Sequence, residues 1–192
     1  MRIIAGTFRS RRLEAPSKLH TRPTSDRLRE TLFNVLAPRI EGAFFLDLYA
    51  GSGAVGLEAL SRGAAQIVFV EKAPAALKAL RRNLTNLGLT KGITIEPGSV
   101  GAYLRRAQTV KRGFDVVFLD PPYDACDEYQ LTLEWLGGAA AASLSEGAVV
   151  IAEHRRKHRL EERYGMLVRQ RVLEQGDATL SFYTGSRSAS PA

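Results

Sequence analysis

Hydrophobic residues in this chain follow two alternating periods, and each switch between them marks an element. Phe44–Tyr49, Ile67–Val70, Ile93–Glu96, Phe114–Leu119 and Ala148–Glu153 are short apolar runs suited to buried strands. Between them the apolar positions repeat at helical spacing. Leu28, Thr31, Leu32, Val35 and Leu36 predict a helix running to Pro38, with Thr24 or Ser25 as its N-cap and Asp26 in its first turn. Leu57 and Leu60 predict a helix ending at Gly63, and Ala76, Leu77, Leu80, Leu84 and Leu87 predict another over Pro74–Leu87. Further helices are expected after Gly98-Ser99-Val100 to about Gln108, and over Asp127–Ala142. Tyr164–Leu173 and Thr179–Thr184, separated by Gly176-Asp177, read as an antiparallel pair. Short β-compatible runs flank Gly6 in Met1–Pro16, which predicts a small hairpin carrying arginines.

Alternating strands and helices imply an α/β doubly wound sheet, with an antiparallel last strand closing it. Ligands of such sheets bind beyond the carboxyl ends of the strands. Asp47 lies near the end of the first predicted strand, Glu71 ends the second, Ser99 follows the third and Asp120 ends the fourth. All four are therefore expected on one rim. The chain divides into a hairpin-and-helix extension over 1–43, the α/β domain over 44–185, and a Ser/Ala-rich frayed tail over 186–192.

The strand at Phe114–Leu119 leads into Asp120-Pro121-Pro122-Tyr123. Two prolines stiffen this turn before any ligand arrives. Asp120 and the Pro121 carbonyl can each accept an N–H from an amino group on the edge of a planar ring, and Tyr123 offers a face for stacking on it. The other informative stretch is Gly51-Ser52-Gly53-Ala54-Val55-Gly56 between a strand and a helix, where glycines let backbone N–H groups approach a ligand. Glu71, about 20 residues beyond, suits a ribose diol. A nicotinamide or flavin oxidoreductase matches that spacing equally well. Asp47, the Asp120 turn and the basic charge balance all weigh against it: a carboxylate inside the strand suits a ligand with a cationic amino-acid end.

Charge adds a direction. The 192 residues carry a net +7, and residues 1–43 hold nine Lys/Arg against four acids while the remainder holds 18 against 16. The excess sits ahead of the first core strand, as in a nucleic-acid-gripping appendage, with Arg9, Arg11 and Arg12 as its candidates. A single cysteine, Cys126, excludes a disulfide framework and any Cys-cluster zinc site. His20, His154 and His158 lack metal-ligand spacing and are expected to be solvated or capping, and Trp135 is expected in the core. No apolar run is long enough to span a membrane, and Met1–Arg12 lacks the apolar stretch of a signal peptide, so a cytoplasmic protein is expected.

Asp47–Gly56 resembles motif I of the S-adenosylmethionine-dependent methyltransferases, and Asp120-Pro-Pro-Tyr123 resembles the motif of those that methylate exocyclic amines. More narrowly, the chain resembles the RsmD family, through Met1–Gly6, Arg22-Pro23-Thr24, Asp26-Arg27, Arg29–Asn34, Leu46–Gly63 and Phe118–Tyr123. The resemblance implies a Rossmann-like class I methyltransferase sheet with a small N-terminal extension. It implies transfer of a methyl group from S-adenosylmethionine, leaving S-adenosylhomocysteine, to guanine N2 in 16S rRNA of the small ribosomal subunit or its assembly intermediate. No metal is implied, and a monomer is expected. Asp120, Pro121 and Tyr123 would be catalytic; Asp47, Gly51, Ser52, Gly53, Glu71 and Arg22 would hold the cofactor. Related enzymes place Asp-Ala where this chain has Ser99-Val100; the hydroxyl and the Val100 N–H would then meet the adenine. Arg27 joins Arg9, Arg11 and Arg12 as an RNA contact in a lid formed by Arg22–Glu30. The alternatives are an adenine-N6 DNA methyltransferase and a non-catalytic ribosome-assembly protein.

Overall fold

The computed structural model describes residues 1–16, 25–107, 112–122 and 125–185. Arg22, Thr24, His20, Tyr123 and the tail 186–192 lie outside the described residues. The chain divides into two compact units, Met1–Val100 and Gly101–Ala192.

In the first unit, α1 (Asp26–Ile40), β1 (Phe44–Leu48), α2 (Ala54–Ser61), β2 (Gln66–Glu71), α3 (Pro74–Leu87) and β3 (Ile93–Pro97) follow in chain order. Strands β1 and β2 pair in parallel, as do β2 and β3, with Leu48 opposite Val70 and Glu71 opposite Pro97. Parallel neighbours need a crossover, and α2 and α3 provide one each. The strands read as unbroken apolar runs because both faces are covered: Phe45, Leu46, Leu48, Phe69 and Val70 are all buried. Ser25 is the N-cap of α1, its hydroxyl accepting the Leu28 N–H at 3.1 Å. This helix passes Pro38 and ends at Ile40 rather than stopping at the proline. The carbonyl that Pro38 leaves without a donor belongs to Asn34, which is exposed to water.

Residues 1–16 fold back on themselves as expected: an antiparallel bridge pairs Arg2 with Arg12, and the Ile3, Ser10 and Leu13 N–H groups donate to the Arg11, Ile3 and Met1 carbonyls at 3.0, 2.9 and 3.1 Å. The rest of this backbone is tied to side chains of the α/β core. Glu58 accepts the Ile4 and Ala5 N–H groups at 2.8 and 3.0 Å, and the Ser61 hydroxyl accepts Phe8 N–H at 3.0 Å and donates to the Ala5 carbonyl at 2.5 Å. Gly6 is required at the point of closest approach. Its φ is +80°, and a Cβ there would lie 1.7 Å from the Ser61 carbonyl oxygen.

In the second unit, α4 (Val100–Ala107, beginning at the boundary) and β4 (Phe114–Leu119) precede α5 (Cys126–Gly137). After these come a 3-10 turn (Ala141–Ser143), β5 (Leu144–Arg155), β6 (Arg163–Tyr164), β7 (Leu167–Gln175) and β8 (Ala178–Gly185). Strands β4 and β5 are parallel, with Leu119 opposite Ala152. The pairs β5–β8, β8–β7 and β7–β6 are antiparallel. Helix α5 stops at Gly137 rather than Ala142, because Gly137 packs backbone to backbone: a Cβ there would sit 1.8 Å from the Tyr164 carbonyl oxygen. Trp135 is half-buried, not core, and the core face of α5 is carried by Tyr129, Thr132, Leu133 and Leu136. Among the described residues no helix is long and apolar enough to cross a membrane.

Candidate active site

Where β1 ends, the chain turns sharply through left-handed backbone. Tyr49, Gly51 and Gly53 have φ of 65°, 58° and 80°. The turn is closed by Gly53 N–H on the Ala50 carbonyl at 2.7 Å and anchored by Ala50 N–H on Val70 at 2.9 Å. The glycines have separate tasks. A Cβ on Gly53 would meet Leu80 Cδ1 at 2.4 Å and one on Gly56 would meet Ile67 Cδ1 at 2.2 Å, so both are there for packing. A Cβ on Gly51 would meet nothing within 4 Å. Tyr49 carries a bulky side chain where a left-handed backbone costs roughly 1–2 kcal/mol. Nothing in the sequence marked it, because the strain belongs to the turn rather than the residue type.

Glu71 holds this turn. One carboxylate oxygen accepts the Gly51 N–H at 2.8 Å and the other accepts the Ala73 N–H at 2.7 Å. A carboxylate has about four lone-pair sites, so capacity for further donors remains. Asp47 is buried, and its Oδ2 accepts the Gly56 N–H at 3.0 Å at the start of α2. Burial pushes its pKa from 3.8 up to about 7; the Gly56 bond opposes this and the charge of Glu71 adds to it. The raised folded-state pKa means that Asp47 favours the fold fully below about pH 4 and that this contribution is lost as pH rises through about 7. Replacement by Asn is expected to remove that slope from a series of thermal melts taken on ligand-free protein between about pH 5 and 8. A ligand ammonium would act oppositely, binding more tightly as the carboxylate ionises.

Ser52 is buried; its hydroxyl lies 3.9 Å from Met1 Sδ and its carbonyl accepts from Asn83 Nδ2 at 3.0 Å. Ser99 is exposed just beyond β3, and Val100 is buried as the first residue of α4. Gly98 N–H donates to the Glu71 carbonyl at 2.9 Å, tying the β3 end to the β2 end. Asp47, Gly51, Ser52, Gly53, Glu71, Ser99 and Val100 thus belong together at the carboxyl ends of β1, β2 and β3.

Three polar residues that sequence reasoning passed over, Glu58, Ser61 and Asn83, are buried, and so is Arg29, which the resemblance had placed in a lid. Glu58 accepts Arg62 Nε at 2.7 Å and faces Arg29 Nε at 3.7 Å. Arg29 also donates to the Arg2 carbonyl and, at 2.9 Å, to Asp26. Burial lowers the Arg29 pKa, opposed by the charges of Asp26 and Glu58. For Glu58 and Ser61 the available signal was their place on an otherwise apolar α2. Of the arginines proposed for RNA, Arg9, Arg12 and Arg27 are exposed, whereas Arg11 donates to the Asn86 carbonyl at 2.6 Å.

In the second unit, Asp120 is half-buried immediately after β4, and Pro121 is buried. The turn closes with Ala125 N–H on the Pro122 carbonyl at 2.8 Å. Beside it, Glu153 is buried near the end of β5, with its carbonyl accepting the Tyr129 hydroxyl at 3.0 Å. His154 is neither solvated nor a cap. It is a core residue whose Nε2 lies 2.9 Å from Ser181 Oγ and Nδ1 3.0 Å from the Arg155 carbonyl, and burial lowers its pKa. His158 packs against the Tyr129 ring at 5.0 Å between centroids. Cys126 is exposed at the start of α5. Among the described residues no group of three or more His, Cys, Asp or Glu could hold a metal ion.

The chain is similar to known proteins. YlbH of Bacillus subtilis is 35% identical over 192 residues, covering 95% of this chain and 98% of that protein. Ribosomal RNA small subunit methyltransferase D of Escherichia coli K12 is 43% identical over 123 residues, 64% of this chain and 60% of that one. The solved structure of yhhF from Escherichia coli superposes with a TM-score of 0.82 at 31% identity, covering 96% of this chain and 97% of that chain. The fold is the Rossmann-like class I methyltransferase sheet. The family model described as "Conserved hypothetical protein 95" matches residues 1–184, and the chain belongs to that family, the RsmD family.

Proposed function

We propose that this protein transfers a methyl group from S-adenosylmethionine to the exocyclic N2 amine of a guanine in 16S rRNA. The observation that carries the reading is Asp120-Pro121-Pro122 at the carboxyl end of β4, in a chain of the RsmD family. The Escherichia coli relative named as a small-subunit rRNA methyltransferase supports the substrate class.

The glycine turn fits the cofactor. Gly51 leaves open space over its backbone, Glu71 retains acceptor capacity for a ribose diol, and Asp47 is a carboxylate whose ionisation an ammonium would favour. Ser99 and Val100 N–H would meet the adenine, with Arg22 and the amino-terminal part of α1 as a lid. When bound, S-adenosylmethionine supplies an activated methyl group on a sulfonium, so the protein needs no covalent nucleophile.

Guanine N2 is a poor nucleophile because its lone pair is delocalised into the ring. Asp120 and the Pro121 carbonyl each accept one N–H, which pulls the nitrogen towards tetrahedral geometry and aims the lone pair. Asp120 also stabilises the positive charge that grows on nitrogen and takes the N–H proton that the methylated amine must lose. Tyr123 stacks on the extruded base. The extension 1–43 grips the RNA through Arg9, Arg12 and Arg27, with Arg11 shared between RNA and α3. Replacing Arg9, Arg11 and Arg12 together is expected to flatten the salt dependence of RNA binding by about two in log–log slope. An anisotropy titration across salt concentrations measures this, and an unaltered slope would make them ordinary surface.

The deciding experiment supplies radiolabelled S-adenosylmethionine with unmethylated small subunits, free 16S rRNA and DNA, then maps the labelled base. Label at guanine N2 in 16S rRNA is expected. Label in adenine, in DNA alone, or nowhere would overturn the reading.

A further inference from the structure

One buried side chain joins two parts of the first unit that serve different ligands in the proposed reaction. Asn83 lies on α3 and is fully buried. Its Oδ1 accepts the Glu14 N–H at 2.7 Å, while Nδ2 donates to the Glu14 carbonyl at 3.1 Å and the Ser52 carbonyl at 3.0 Å. Exchanging its oxygen and nitrogen would set acceptor against acceptor and donor against donor, so these partners fix the orientation of the amide. Two further contacts tighten the junction: Met1 Sδ at 3.9 Å from Ser52 Oγ, and Arg11 on the Asn86 carbonyl of the same helix at 2.6 Å.

Glu14 belongs to the arginine-bearing amino-terminal segment, and Ser52 stands between Gly51 and Gly53 in the glycine turn. The segment closes on itself through one short antiparallel bridge and a few backbone hydrogen bonds, and it is tied to the rest of the unit through side chains of α2 and α3. Elements held this way open more readily than a core strand. The glycine turn is costly to order for a different reason, the backbone freedom of its glycines. Anything that fixes Glu14 fixes the Asn83 amide, and the amide fixes the Ser52 carbonyl.

We propose that Asn83 is a positioning residue that couples the amino-terminal segment to the glycine turn, so that RNA on the first and cofactor on the second each tighten binding of the other. The inference rests on the reading of these two parts given under the proposed function. Linkage makes the effect reciprocal, and ordering alone is sufficient to transmit it.

The test is calorimetric titration of the full chain with S-adenosylhomocysteine, alone and with saturating 16S rRNA transcript, with RNA binding followed separately by anisotropy. In the unaltered protein RNA is expected to lower the Kd for S-adenosylhomocysteine by about five-fold or more. In Asn83→Ala each ligand is expected to bind alone while that tightening disappears. Asn83→Asp, which keeps the acceptor for Glu14 N–H but has no donor for Ser52, is expected to lose it as well, and serves if the alanine variant does not fold. A merely structural Asn83 would weaken S-adenosylhomocysteine equally with and without RNA. Tightening retained in both variants, or absent from the unaltered protein while both ligands bind singly, would overturn the coupling and leave the proposed function standing. Failure of S-adenosylhomocysteine to bind the unaltered protein, or of RNA to bind both as free transcript and as unmethylated small subunit, would remove the proposed function, and the coupling with it.

Discussion

Asp120→Ala is expected to slow methyl transfer by about 10³-fold, equivalent to roughly 4 kcal/mol of transition-state stabilisation. The carboxylate is asked to do two things at one nitrogen: accept an N–H before the reaction and face positive charge during it. Alanine removes both. Asn in its place keeps an acceptor oxygen but no charge, so Asp120→Asn is expected to fall between the two. Asp120 belongs to the unit Gly101–Ala192, whereas Asp47, the glycine turn and Glu71 belong to Met1–Val100. Asp120 is assigned to the amine and not to the cofactor, so S-adenosylhomocysteine affinity is expected to stay within about three-fold of the unaltered protein, a change of under 1 kcal/mol. Single-turnover rates on unmethylated small subunits, alongside calorimetry, check both halves of the expectation. A rate within a few-fold of normal would mean that amine positioning is done elsewhere.

The second large effect is on the fold. Glu58 is a fully buried carboxylate that takes the Ile4 and Ala5 N–H groups, Arg62 Nε at 2.7 Å and the charge of Arg29 at 3.7 Å. Arg29 is itself fully buried, and among the described residues its Nε and Nη1 have no hydrogen-bond partner. Removing Glu58 leaves Asp26 as its remaining acidic neighbour and strips the amino-terminal segment of its anchor. Breaking one side of a buried ion pair costs about 3–5 kcal/mol, because an uncompensated charge stays in the interior. For a chain of this size that is a fall in Tm of roughly 10 °C. Glu58→Leu should show it in thermal melts, and Glu58→Gln, which still accepts hydrogen bonds, should lose less. If Glu58→Leu melts as the unaltered protein does, the buried network adds nothing to stability and the amino-terminal segment is held by Ser61, Asn83 and the packing of Ile3 and Leu13.

The two predictions separate chemistry from scaffold. Asp120 is expected to matter to rate and little to melting, while Glu58 is expected to matter to melting and, through the hairpin, to RNA affinity. A variant that moved all three together would indicate that the hairpin, rather than the Asp120 turn, limits the reaction.

The sequence alone determined the order of elements and the identity of the strand-end residues. Apolar runs set against helical periodicity placed β1–β5 and α1–α5, because a strand buried on both faces and a helix buried on one carry different periods. Glycine spacing and the two prolines marked the ligand turns, since backbone constraints of that kind are written in residue type. Tertiary structure decided what the buried polar residues do. Glu58, Ser61 and Asn83 occur within helical patterns, and nothing in a helical period says that the amino-terminal segment will lie against them. Their partners are backbone groups of Ile4, Ala5, Phe8 and Glu14, between 53 and 69 residues away. Backbone groups have no residue-type signature, so the pairing cannot be read from either end. For the same reason only part of the predicted hairpin pairs across itself: the Ile4, Ala5 and Phe8 N–H groups go to a carboxylate and a hydroxyl on α2. Helix α5 also ended at Gly137 on tertiary grounds, the close approach of the Tyr164 carbonyl, which only a glycine admits.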